Sequence, residues 1–186
     1  MNLLTTVSKL AYRIFTIPAS ILVTLVYVWF IVSVMPEQSL QSAEYAGDWG
    51  APDRHFFYTP DELYAEISGW SEAGRDHYIN FRLGLDILWA LAYTGFLCGW
   101  ISVLLNSTVP SGDPERLLNL FPLITLVADY SENFLGIWLV ANSATRMDAV
   151  AWLAAGITGG KWLTLVMAHG ILIYAVIRAW RHKYGR

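Results

Sequence analysis

The chain has 186 residues, of which 55% are apolar and 15% charged, with a net charge of −3. An average soluble domain carries roughly a quarter charged residues, so water is not this protein's main solvent. The charge is small and nothing in its distribution resembles a nucleic-acid footprint; one cysteine, Cys98, excludes an intrachain disulfide and a cysteine-based metal site.

In chain order, Lys9 and Arg13 precede an apolar stretch over 14–35. That stretch is too long for the apolar region of a signal peptide and has no small-x-small cleavage site before Pro36, so it reads as a retained first span. The connection over 37–82 opens as an acidic linker containing Gly and Ser. It then reaches Thr59-Pro60-Asp61-Glu62, where Thr suits the cap, Pro the first turn, and Glu62 can reach back. Leu63, Ile67 and Trp70 follow at helical spacing, which predicts a short amphipathic helix near the membrane surface, closed at about Gly69. A second helix starts around Ser71 and runs without a break into a span over 83–105. Residues 106–115 are turn chemistry. Further spans follow over 117–141 and 149–177, each long enough for a hydrocarbon core of about 30 Å at about 1.5 Å per residue. Gly156 and Gly160 form a small-x-x-x-small pair, suited to close helix approach or a kink.

The predicted fold class is therefore all-α: a polytopic membrane protein built as a four-transmembrane-helix bundle, one membrane domain over 1–186. Lys and Arg in the tails and the second connection number seven, against four in the first and third connections. That excess places the N- and C-termini in the cytoplasm and predicts a multi-pass protein of a bacterial inner membrane.

Ionisable residues at membrane depth are costly and normally face a bundle interior, where they find partners. Asp129, Glu132 and Asn133 are at i, i+3 and i+4 on one helical face; Arg75, Arg82, Asp86 and Tyr93 line another. Counting helical rise puts Asp129 and Lys161 near the midplane and Glu132, Asn133 and Asp86 progressively outward. The expected polar cluster thus has Asp129 with Lys161 as its floor and Arg82 with Arg75 as its mouth, three acids against three bases. Tyr27, Thr125, Tyr130, Thr164 and His169 are possible supporting donors. The plainer alternative is that these ion pairs only fix helix register. The four histidines are dispersed and cations stand close to the carboxylates, so no metal is expected, nor any other cofactor. Gly159-Gly160-Lys161 follows an apolar helix and is not a phosphate loop.

The set Tyr58-Thr59-Pro60 with Glu62 and Tyr64, Gly74-Arg75 with Tyr78, Asp86 with Tyr93, Asp129 with Glu132-Asn133, and Lys161-Trp162 resembles small uncharacterised four-span membrane proteins of bacteria. The resemblance covers most of 58–162. It implies the four-span architecture and this choice of residues, and carries no activity.

Three functions are expected to compete. The first is binding, with or without turnover, of a small anionic or lipid-headgroup ligand in an intramembrane pocket open to the outer side. There Arg75, Arg82 and Lys161 meet the anion, and Asp129 or Glu132 is the acid/base residue if chemistry occurs. The second is an accessory subunit of a larger membrane complex, suited by nine tryptophans and the glycine-lined fourth span. The third is a proton- or ion-coupled transporter acting as an oligomer through Gly156 and Gly160. Membrane lipid is the common partner, with other subunits or a second copy in the latter two.

Overall fold

The computed structural model describes residues 3–185, all in helices and the turns between them, with no strand among the described residues. An N-terminal helix, α1 (Leu3–Ile14), is followed by α2 (Ile17–Trp29), a π-helical turn over Phe30–Val34, and α3 (Met35–Ala46). After a turn over Pro52–Arg54 come α4 (Pro60–Ile67), α5 (Glu72–Leu83) and α6 (Leu85–Asn106). A 3₁₀ turn over Pro114–Leu120 leads into α7 (Pro122–Ala141), and α8 (Asp148–Tyr184) closes the chain. Four helical stretches are long and apolar enough to cross a membrane: Ile17–Ala46, Glu72–Asn106, Pro114–Ala141 and Asp148–Tyr184.

Local chemistry explains most boundaries. The Thr59 hydroxyl accepts from the Glu62 amide at 3.3 Å while Glu62 accepts from the Thr59 amide at 2.7 Å, a complete capping box at the start of α4. Ser71 caps α5 through the Gly74 amide at 3.1 Å. The expected unbroken run into the second span is interrupted at Gly84, whose backbone (φ −116°, ψ −96°) leaves the helix between α5 and α6. Glycine makes that departure inexpensive.

Two expectations are corrected. Residues 37–46 are not a linker but most of α3. Pro36, which lacks an amide proton, stands directly after the π turn, where the Met35 amide bonds back to the Phe30 carbonyl; the wider turn accommodates the ring and the helix continues on good helix formers. Likewise α8 is continuous through its glycines, and the Gly156/Gly160 pair meets no neighbouring helix: a Cβ at either would find nothing within 4 Å.

The chain divides into two compact units. One comprises residues up to Val28, Leu91–Leu126 and Leu163 onward. In it α2 and α6 approach closely at small residues, where a Cβ on Gly95 would stand 3.0 Å from Val23 and one on Gly99 3.0 Å from the Ser20 hydroxyl. The Trp100 indole donates to Thr24 at 2.8 Å, and Tyr27 stacks on Phe96 with centroids 4.6 Å apart. The other unit comprises Trp29–Ala90 and Val127–Trp162. Its core gathers Tyr58, Leu63, Ile67 and Trp70 of the first connection against Tyr78, Leu139, Val140 and the alanines Ala151, Ala154 and Ala155. Small residues on α8 let the connection lie flat against it; a Cβ at Gly159 would be 3.2 Å from the Phe56 carbonyl oxygen.

Candidate functional site: a buried ion-pair cluster under the first connection

The second unit holds every residue of the polar cluster. Arg82, on the last turn of α5, is 3% exposed and is the hub. Its Nη1 donates to Asp86 Oδ2 at 2.8 Å, one turn along the chain, and to Asn133 Oδ1 at 3.1 Å on α7. Its Nη2 meets Asp53, carried by the turn over Pro52–Arg54. Tyr78 lies beneath the guanidinium, 4.9 Å from its centroid. A second pair, Lys161 with Glu132, joins α8 to α7 and is buried on both sides. Asn133 bridges onward, donating from Nδ2 to Asp129 Oδ1 at 3.4 Å, and Asp129 also acts through space on Lys161.

Burial of so many charges is tolerable only because each finds a partner. Asp53 shows the balance: burial pushes its carboxyl up, but the Arg82 guanidinium beside it holds it below the ordinary carboxylate value. Backbone contacts keep Asp53 in place, since the Trp162 indole donates to its carbonyl at 3.1 Å, one residue beyond Lys161. On the same wall Tyr58 bonds Thr158, and burial pushes its phenol up to about 12, so it stays a neutral donor.

The sequence-derived residues fare as follows. Arg82, Asp86, Asp129, Glu132, Asn133 and Lys161 come together. Arg75 does not join them: its Nη1 donates to the Ile67 carbonyl at 3.4 Å, at the end of α4. Lys161 pairs directly with Glu132 and is acted on by Asp129 as well. It also lies against the first connection rather than far below it, because the segment carrying Asp53 folds inward to its level. Tyr130 donates to the Ile87 carbonyl at 3.3 Å and His169 contacts Leu165 of its own helix at 2.8 Å; Tyr27, Tyr93, Thr125, Thr164 and His169 belong to the other unit. Asp53 is the member that periodicity could not find, since it sits in the short turn over Pro52–Arg54, outside every α-helix. With Asp53 in and Arg75 out, the cluster has four carboxylates to two cations instead of three to three.

A cavity of about 270 Å³ opens onto this cluster. Asp53, Arg82 and Tyr78 line it, together with Gln38, Ser39 and Ser42 of α3, Arg54 and His77. Arg82 Nε is buried with no hydrogen-bond partner, as is Glu132 Oε1. The site can therefore bind through an unused guanidinium donor. Glu132 Oε1 is an open acid/base position, because Oε2 is committed to Lys161. Among the described residues no three of His, Cys, Asp and Glu stand close enough to hold a metal ion.

No family model, curated protein or solved structure matches this chain. The geometry alone carries the functional argument.

The level of the cluster follows from its packing. Phe30 lies 5.8 Å from Trp89, and Asp86 and Arg82 stand about 4.5 and 10 Å further along their helices. Arg82 thus shares its level with Met35 and Gln38, which line the same cavity.

Proposed function

We propose that the protein is a single membrane domain of a bacterial inner membrane, with both termini cytoplasmic, that binds a small anionic ligand or lipid headgroup at Arg82 through the cavity on its outer side. The observation that carries this reading is a buried arginine lining an open cavity with its Nε unpaired. Guanidinium groups are the preferred partners of carboxylate and phosphate, and an unpaired buried donor is costly until a ligand meets it. Arg54 and the hydroxyls of Ser39 and Ser42 supply further contacts along the wall. Neither Arg75 nor Lys161 lines this cavity.

Asp53 then acts as an internal stand-in. Its carboxylate occupies Arg82 Nη2, and an incoming anion takes that place as the turn over Pro52–Arg54 moves aside. Gly47 and Gly50, at φ 52° and 75°, flank the residues that lead into this turn. The test is acidic phospholipid retained after purification in mild detergent. Arg82→Gln should lose it, and Asp53→Asn should retain more than wild type. A folded Arg82→Gln protein with unchanged lipid, and no loss of affinity for added soluble anions after delipidation, would sink the assignment.

The surplus of two carboxylates over cations supports a second reading, in which the cluster loads a proton from the outer side. Proton uptake on ligand addition, abolished by Glu132→Gln and Asp129→Asn alike, is its signature.

A further inference from the structure

A second cavity lies in the other unit and shares no residue with the Arg82 cavity. Helix α1 is amphipathic in an inverted sense. Ser8 and Tyr12, one turn apart, face the protein: Ser8 donates to Asn119 Oδ1 at 2.8 Å, and Tyr12 donates to the Arg116 carbonyl at 2.9 Å. Asn119 in turn donates to Ser102 at 3.0 Å, so α1 is tied down by buried polar contacts. Leu3, Leu10 and Ile14 recur at helical spacing on the opposite side and are 74%, 53% and 56% exposed. An apolar face turned outward on a helix that precedes the first span belongs against lipid.

Lys9 and Arg13, again one turn apart, project from the flank between these two faces. With Arg116 they border a cavity of about 560 Å³ closed on its far side by the segment Ser111–Leu117. Arg116 is fixed there, its guanidinium 3.9 Å over the Tyr12 ring and bonded to the Val109 carbonyl at 3.0 Å and Asn106 at 2.6 Å. Three cations meet two acids there: Asp113, whose Oδ1 already accepts from the Glu115 amide at 2.9 Å, and Glu115, whose Oε1 is engaged by the Tyr174 hydroxyl at 2.7 Å and Arg178 at 3.1 Å. A positive cavity beside a lipid-facing apolar strip matches the two halves of one molecule, a phosphate and its acyl chains.

We infer that this cavity holds the phosphate headgroup of an anionic phospholipid from the leaflet that α1 contacts, with the acyl chains lying along Leu3, Leu10 and Ile14. The experiment reconstitutes the full chain in nanodiscs of phosphatidylcholine with a minor fraction of phosphatidylglycerol and measures retained lipid by native mass spectrometry. Lys9→Gln with Arg13→Gln should lower phosphatidylglycerol retention about thirtyfold, at roughly one surface cation's attraction per residue. The control Arg181→Gln with Lys183→Gln, which removes the same charge from the end of α8, should leave retention unchanged. Inorganic phosphate in large excess should not displace the lipid. Equal losses in the two double variants would reduce the effect to general attraction and overturn the site, as would unchanged retention in Lys9→Gln with Arg13→Gln. Displacement by inorganic phosphate would overturn the lipid assignment. Because Lys9 and Arg13 are exposed, folding is not at risk. As a second readout, Thr5→Cys in a Cys98→Ser background, carrying a fluorophore, should be quenched by brominated phosphatidylglycerol and not by brominated phosphatidylcholine.

Discussion

Lys161 and Glu132 form a buried pair in which each charge is the other's direct partner. Lys161→Met leaves a buried carboxylate without its direct cation, and breaking a buried pair from one side costs about 3–5 kcal/mol. Replacing both, Lys161→Met with Glu132→Leu, removes the desolvation penalty together with the attraction. Thermal unfolding in detergent, followed by tryptophan fluorescence, should show a large loss for the single variant and recovery of most of it in the double. If both behave alike, the two residues are not energetically coupled. At this scale the sequence exposed almost every member of the cluster, because a charge in an apolar run is conspicuous and needs a partner. It could not say which acid meets which base. Glu132 and Asp129 lie on one face of α7, and only the approach of α8 brings Lys161 onto Glu132.

Helices are positioned by single close contacts, and two of these are testable. Gly136 lies against the Tyr78 hydroxyl, so that a Cβ there would collide with it. Gly136→Ala should cost about 1–3 kcal/mol through overpacking, and Tyr78→Phe should restore most of it by removing the oxygen. No rescue would mean that the clash is relieved by backbone movement instead. The capping box at α4 gives a second case. Thr59→Ala should destabilise the helix by about 0.5–2 kcal/mol, seen as faster amide exchange in its first turn. The Thr59 amide and hydroxyl hold Glu62 below its ordinary value of 4.5. A carboxyl lowered by folding stabilises fully above that ordinary value, so the box persists from neutral pH to below 4.5 and opens only as pH falls through the folded value. Exchange that quickens in the α4 first turn already near pH 6 would contradict this. The cap was legible because it is local chemistry within four residues. The helical run over 37–46 was not: its acidic, polar composition resembles a linker, and it is α3 because the π turn at Phe30–Val34 absorbs Pro36.

For the molecule as a whole, four helices are long and apolar enough to cross a membrane, and the proposed topology rests on charge asymmetry. In a Cys98→Ser background, Ser71→Cys should react with a membrane-impermeant maleimide on intact spheroplasts, whereas Ser111→Cys should react only after lysis. Labelling of both from one side would refute the proposed four crossings with both termini inside. The number of long apolar segments, the α4 cap and the identity of most buried charges were determined by the sequence alone, since each depends on composition or on contacts within a turn or two. Tertiary structure alone brought Asp53 to Arg82, kept Arg75 away, and set α1 with its apolar side outward. These depend on where the connections fold back onto the helices, and a residue in a turn has no periodicity from which its neighbours can be deduced.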